Sequence, residues 1–249
     1  MSVENNPSYA VVIPARYQSS RFPGKPLAPI CGEPMIYHVW LRCCEAVGQE
    51  QVYVATDNDQ IAEVVSGFGG QVVMTSSECL TGTDRIAEAN QQLDRDFIIN
   101  VQGDEPLIEP GYIQAVVNQY LATGNVVNAY CAVDTAEEMA STAIPKVVVS
   151  NNGRLLYMSR AAIPCDKAGK ADSGFKQVCI YAFSREHLQF FRSHTRKTPL
   201  EQVEDIEIIR FLESDIAVEM VQLPAGSQAV DFPEDIAIVE QLIQQAKTQ

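Results

Sequence analysis

Tyr9-Ala10-Val11-Val12-Ile13-Pro14-Ala15-Arg16-Tyr17-Gln18-Ser19-Ser20-Arg21-Phe22-Pro23-Gly24-Lys25-Pro26-Leu27 begins as a strand and breaks into a loop. The run Tyr9 to Ile13 is apolar and ends at Pro14, as a buried strand of an α/β sheet does. Three fixed cations, Arg16, Arg21 and Lys25, then sit in one short loop. The chain as a whole carries 32 acidic against 18 basic side chains, a net charge of −14. Cations gathered just past the first buried strand of an acidic protein suit a ligand with concentrated negative charge, and a nucleoside triphosphate is the natural candidate. The alternative is a solvated basic loop, which isolated surface cations usually form.

Two familiar phosphate loops do not fit these residues. A P-loop needs a hydroxyl residue after its lysine, whereas Lys25 is followed by Pro26. A dinucleotide fingerprint needs three glycines entering a helix, and only Gly24 and Gly32 lie nearby. What remains is binding through side-chain charge, with Arg offering a fork and Lys a point contact.

Outward from the loop, helix-like and strand-like segments alternate. Ile36, Val39, Trp40, Cys43, Cys44 and Val47 recur at helical spacing. Val52 to Thr56 reads as a buried strand, and Asp57-Asn58-Asp59 as a turn and helix cap. A helix starting at Ile61 stops at Gly67, Gln71 to Met74 is a strand, and a helix over 83–93 leads into the strand Phe97 to Val101. This βα alternation predicts an α/β, Rossmann-like, mostly parallel sheet flanked by helices, with ligands outside the carboxyl ends of its strands. Past about residue 125 the pattern changes: Val126 to Val133, Pro145 to Ser150 and Val178 to Phe183 read as strands separated by longer loops. The polar segment 164–174 reads as either a lid or a plain insertion. A helix from Pro233, with Ile236, Val239, Leu242, Ile243 and Ala246 on one face, closes the chain.

Composition narrows the partners. A net negative charge argues against nucleic-acid or anionic-membrane binding. No apolar run approaches the roughly 20 residues needed to span a bilayer, and residues 1–6 lack the features of a signal peptide; the expectation is a cytoplasmic protein. Seven cysteines without a Cys-x-x-Cys motif suit reduced thiols. The three histidines make no zinc motif.

The second chemical feature is Asn100-Val101-Gln102-Gly103-Asp104-Glu105-Pro106. A carboxylate just after a buried strand, beside a glycine that admits close backbone approach, can hold a divalent cation at the sheet edge. Asp104 is the metal candidate, and Mg2+, which keeps waters and shares substrate phosphates, needs only one or two protein carboxylates. Asp231 is the second candidate; before Pro233 it also reads as a helix cap. Glu105, Glu234 and Asp235 read as helix-start or solvated charges.

Taken together and in order, Ile13-Pro14-Ala15-Arg16, Arg21 to Leu27, Ala55-Thr56-Asp57, Thr81-Gly82-Thr83-Asp84-Arg85, Val101 to Pro106, Ser159-Arg160 and Val230 to Asp235 resemble the CMP-Kdo synthetases, the 3-deoxy-manno-octulosonate cytidylyltransferases. The similarity runs over almost the whole chain. It implies a single nucleotidyltransferase-type domain over 1–249, with a nucleotide-binding core at about 1–125 plus 215–249 and a smaller sugar-acid-binding and dimerisation lobe at about 126–214. It implies CTP and a 2-keto-3-deoxy sugar acid as substrates, a homodimer, and a role in lipopolysaccharide synthesis. Arg16, Arg21 and Lys25 would receive the CTP phosphates; Ala15, Thr81, Gly82, Arg85 and Gln102 would recognise cytidine. Asp104 and Asp231 would hold magnesium, with Arg16, Lys25, Asp104 and Asp231 as the catalytic set. Arg160, Gln177, Tyr181 and Glu207 would meet the sugar.

Three positions depart from the resembled pattern. Gln177 stands where a histidine is usual, Gln202 where another histidine is common, and Ile208 where a glutamine follows Glu207. Missing or altered polar partners discriminate strongly in buried pockets, so the expected sugar is the 3-deoxy-octulosonate (Kdo), with an 8-amino-3,8-dideoxy form or another 2-keto sugar acid as the alternative.

Overall fold

The structure, a computed structural model, describes residues 7–18 and 22–246. Arg21, one of the three expected phosphate-binding cations, lies outside the described residues. In chain order the strands and helices are β1 (Tyr9–Ala15), β2 (Pro29–Ile30), β3 (Glu33–Pro34), α1 (Met35–Val47), β4 (Val52–Thr56), α2 (Asp59–Gly67), β5 (Gln71–Met74), α3 (Gly82–Leu93), β6 (Phe97–Val101) and α4 (Pro110–Thr123). They continue with β7 (Val126–Ala132), α5 (Ala136–Ala140), β8 (Lys146–Val149), β9 (Leu155–Ser159), β10 (Phe175–Ser184), α6 (Arg185–Ser193), α7 (Pro199–Glu204), α8 (Ile209–Leu212), β11 (Val218–Gln222) and α9 (Asp235–Ala246).

The main sheet runs β11-β7-β10-β6-β1-β4-β5. Alternate residues of β1 face opposite layers, as the pleat dictates. Val11 and Ile13 pack with Ile36, Val39 and Trp40 of α1 and Ile113 and Val116 of α4. Ala10 and Val12 share the other layer with Ile86 of α3 and Leu188 and Phe191 of α6. Each fully buried aliphatic side chain contributes about 1.5–3 kcal/mol relative to exposure, so a strand apolar on both faces is held between two helical layers.

From β1 the chain moves outward to β4 and β5, both parallel, then returns to place β6 on the other side of β1. That reversal makes a crevice at the carboxyl ends of β1 and β6, where α/β sheets bind ligands. β10 runs antiparallel to both β6 and β7, and β11 pairs parallel with β7. Along this path the sheet is therefore parallel apart from one reversed strand, β10.

The stretch expected as a lobe, about 126–214, contributes strands to the same sheet as the expected core, within the single domain that the resemblance implies. β7 and β10 are hydrogen-bonded into the same sheet as β1, and only β8 and β9 branch from it. The apolar runs of β7 and β10 extend the core. The closing helix begins at Asp235 rather than Pro233, because the Asp235 carboxylate accepts the backbone N–H groups of Asp231 and Phe232, both at 2.8 Å. Asp235 is thus a turn-forming acceptor rather than a solvated charge. On α9, Val239, Ile236 and Ile243 pack with Ile30, Met35 and Val230, whereas Leu242 is exposed.

Candidate active site

The crevice closes around one glycine. A Cβ at Gly103 would stand 2.8 Å from the Pro14 carbonyl oxygen, so only glycine lets the end of β6 approach the end of β1 this closely. Asp104 follows at the sheet edge. The basic loop is folded back by Gly24, whose φ of 71° suits glycine and whose N–H reaches the Tyr17 carbonyl at 2.8 Å. Lys25 is thereby aimed inward, donating from Nζ to Asp104 Oδ2 at 2.7 Å and to the Val230 carbonyl at 2.9 Å. The Val230 N–H in turn donates to the Asp104 carbonyl at 2.9 Å. Three remote segments, 22–27, 102–105 and 229–232, converge there, and Asp231 follows directly after the anchored Val230.

Glu105 is not the solvated charge its sequence suggested. It is buried, with Oε2 lacking any hydrogen-bond partner. Burial above all, then the neighbouring Asp104 and also Asp231, pushes its carboxyl up to about 8, while Lys25 pulls the other way. Both expected metal carboxylates thus act electrostatically on one buried neighbour. The chemistry of these side chains, hard carboxylate oxygens of which one or two suffice, is that of magnesium ligands. Among the described residues, no group of three or more acidic, His or Cys side chains is arranged as a metal cage.

Beside this junction lies a cavity of about 280 Å³. Ala15, Arg16, Lys25, Thr81, Gly82, Arg85, Gln102, Asp104 and Glu207, all singled out in the sequence, line it. Arg16 is exposed at its rim. Thr81 caps α3 in a reciprocal box with Asp84, its N–H donating to Asp84 Oδ2 at 3.0 Å and its hydroxyl accepting the Asp84 N–H at 3.1 Å. Gly82 packs against Gln102, where a Cβ would meet the amide at 3.3 Å. Arg85 is buried and held by Asp57 at 3.1 Å and the Thr75 hydroxyl at 2.5 Å, so it forms a fixed positive wall rather than a free fork. Asp57 thereby finds its partner.

Lys197 and Asp205 also line the cavity and are ion-paired with each other; the sequence reading missed both. The available signal was the basic turn Arg196-Lys197 just before Thr198-Pro199, which starts α7. Lys197 holds the Asp205 carboxyl below its ordinary range.

The expected sugar-contacting residues fall in different places. Glu207 reaches the cavity, but its carboxylate accepts the Gly82 N–H at 3.2 Å, the Thr83 N–H at 3.0 Å and the Thr83 hydroxyl. Arg160 is outside the cavity lining. Its guanidinium is engaged by carbonyls: Nε with Glu204 at 2.6 Å, Nη1 with Thr142 at 2.9 Å and Nη2 with Asp205 at 2.9 Å. In this arrangement Arg160 holds the 204–205 turn, and a ligand carboxylate would have to compete with those bonds. Gln177 and Tyr181 lie on β10 at a bulge, also outside the cavity lining. Gln177 Nε2 donates to Asn128 Oδ1 and to the Tyr181 hydroxyl, both at 3.0 Å, while Asn128 Nδ2 donates to the Val178 and Ile180 carbonyls at 3.0 and 2.9 Å. Those two carbonyls orient the Asn128 amide, which orients that of Gln177.

A family model described as cytidylyltransferase matches residues 10–221. A 3-deoxy-manno-octulosonate cytidylyltransferase of Myxococcus xanthus (strain DK1622) is 42% identical over 234 residues, covering 93% of this chain and 95% of its own length. An 8-amino-3,8-dideoxy-manno-octulosonate cytidylyltransferase of Shewanella piezotolerans (strain WP3 / JCM 13877) is 41% identical over 239 residues, covering 92% and 96%. The solved structure of a CMP:2-keto-3-deoxy-manno-octonic acid synthetase complexed with CTP superposes with a TM-score of 0.89 at 35% identity, over 96% of this chain and 99% of that one.

Proposed function

The chain belongs to the cytidylyltransferase family, among the CMP-Kdo synthetases, and we propose that it joins CTP to a 3-deoxy-octulosonate, releasing pyrophosphate and the CMP-sugar for lipopolysaccharide synthesis. The observation that carries this reading is the junction of Lys25, Asp104 and Val230 beside a cavity at the carboxyl ends of β1 and β6.

In the reaction the 2-hydroxyl oxygen of the sugar acid bonds to the α-phosphorus of CTP, the bond to the β-phosphate oxygen breaks, and the hydroxyl proton is lost. Such transfers need alignment and charge neutralisation more than covalent help from protein. Asp104 and Asp231 would hold a magnesium ion, whose chemistry there is to neutralise phosphate charge and ease loss of that proton. Lys25 and Arg16 take the triphosphate, with Arg21 assigned to the same loop by its sequence. When a triphosphate enters, the Lys25 ammonium can exchange Asp104 for phosphate oxygen. Thr81, Gly82 and Gln102 form the polar wall for cytosine, with Arg85 fixed beneath.

A second reading concerns the sugar. With both N–H groups of the Gln177 amide engaged, only its carbonyl is left to receive a donor. That oxygen accepts from a substrate ammonium or hydroxyl alike, so the 8-amino-3,8-dideoxy sugar named for several relatives stands beside Kdo as the second reading. The reading also includes a homodimer, supported by exposed Leu156 on β9 and exposed Leu200 and Val203 on α7, two elements joined by the Tyr157–Glu204 hydrogen bond. No helix among the described residues is long and apolar enough to cross a membrane, and the proposed setting is the cytoplasm.

The test is a pyrophosphate-release screen crossing four nucleotides with Kdo, its 8-amino analogue, other 2-keto sugar acids and a sugar phosphate, repeated with Asp104→Ala and Asp231→Ala. Release with CTP and an octulosonate, abolished in both variants, supports the reading. Release only with a sugar phosphate, or with no preference for CTP, contradicts it.

A further inference from the structure

The first turn of α3 is held from outside. Its Thr81 and Gly82 line the nucleotide cavity, and helix starts leave backbone N–H groups without intrahelical partners. Thr81 satisfies one of them through the capping box with Asp84. Glu207, 125 residues away in the chain, satisfies the Gly82 and Thr83 N–H groups and receives the Thr83 hydroxyl as well. A carboxylate at a helix start is also favoured by the helix dipole.

The short segment bearing Glu207 has few other ways to move. It lies between α7 and α8, whose Glu201 and Arg210 form a fully buried forked ion pair at 2.7 Å in each contact. Arg210 Nη1 also comes within 3.8 Å of Asp84 Oδ1, the other half of the α3 capping box. The same segment grips α3 at two points, so the position of Thr81 and Gly82 is set by residues 199–212 as much as by α3 itself.

Resting on the reading that this cavity takes CTP, we infer that Glu207 is a positioning residue of the nucleotide pocket, acting through Gly82 and Thr83, in addition to any contact with the sugar acid. A residue serving the sugar alone leaves CTP affinity unchanged when no sugar acid is present. A residue that fixes the first turn of α3 alters it.

The experiment is calorimetric titration of CTP with magnesium and no sugar acid into wild type, Glu207→Gln, Thr83→Val and Thr83→Ser, with thermal melting of each. Thr83→Val removes one donor to Glu207 at nearly constant volume, so it decides the matter if Glu207→Gln does not fold. The expected result is CTP binding weakened about tenfold or more in Thr83→Val and Glu207→Gln and retained in Thr83→Ser. CTP affinity within twofold of wild type in Thr83→Val and in any folded Glu207→Gln overturns the inference, even if the KM for the sugar acid rises. A wild-type protein that binds no CTP overturns the reading of the pocket itself, and is recognised before any variant is compared.

Discussion

Lys25 bridges the two halves of the site: its ammonium is bonded to the carboxylate expected to hold metal and to the carbonyl preceding the second such carboxylate. Replacement by methionine keeps the stem and removes the charge. We expect kcat/KM for pyrophosphate release to fall by about 10²–10³, the scale of losing one preorganised charge contact, with a much smaller change in melting temperature. His187 tests the electrostatics away from the site. Its Nδ1 accepts the Ser184 N–H in the α6 cap, and burial lowers its pKa below the ordinary value. Between that lowered value and about 6.5 the unfolded chain binds the proton and the folded one does not, so this group's stabilisation is present above about pH 6.5 and is lost on acidification. Glu105, raised to about 8 in the fold, works with the opposite sign: its contribution is present below the ordinary carboxylate range and is lost as pH rises through that value. The difference between wild type and His187→Gln isolates the histidine: wild type should lose stability relative to the variant as pH falls below about 6.5, and parallel melting curves would contradict it. At this scale the sequence was legible where chemistry is local, as for Lys25 and Asp104. It was silent on Lys197 and Asp205, whose place in the cavity depends on how α7 folds back.

Elements were legible where apolar runs are long and broken by turns. β1, β4, β6 and α3 fall where their patterns put them. β9 and β11 were missed: each is five residues long, and β11 is held by parallel pairing with β7, roughly ninety residues earlier in the chain. Such pairing leaves no local signal. α3 and the α7–α8 pair carry separate tests. Thr81→Ala removes a capping acceptor and should cost about 1 kcal/mol, a melting-temperature drop of about 2–4 °C for a chain of this size, while also weakening CTP binding. Arg210→Met leaves Glu201 charged and buried without its partner, which should cost about 3–5 kcal/mol in denaturant unfolding. A near-neutral result would mean that the ion pair does not set the α7–α8 geometry.

At the scale of the whole molecule, the reversed β10 ties the stretch 126–214 into the main sheet. Running antiparallel between β6 and β7, it carries Gln177 and Tyr181 on the strand that borders β6, so two of the four expected sugar-contacting residues stand on the same sheet as the strand preceding Asp104. The charge balance and βα alternation made the fold class and the basic end of the cavity legible. Alternation alone could not report a strand of opposite sense. At this scale the proposed dimer predicts that Val203→Glu, which puts a charge on an exposed apolar position of α7, shifts sedimentation from dimer to monomer with little loss of folded structure. Three remote segments meet beside one cavity, where we place the transfer of CMP to a sugar acid. Its most direct measurement is pyrophosphate release from CTP with an octulosonate acceptor, in wild type and in Asp104→Asn and Asp231→Asn: the account predicts release in wild type and a loss of at least about 10²-fold in each variant, whereas full activity in either variant would contradict it.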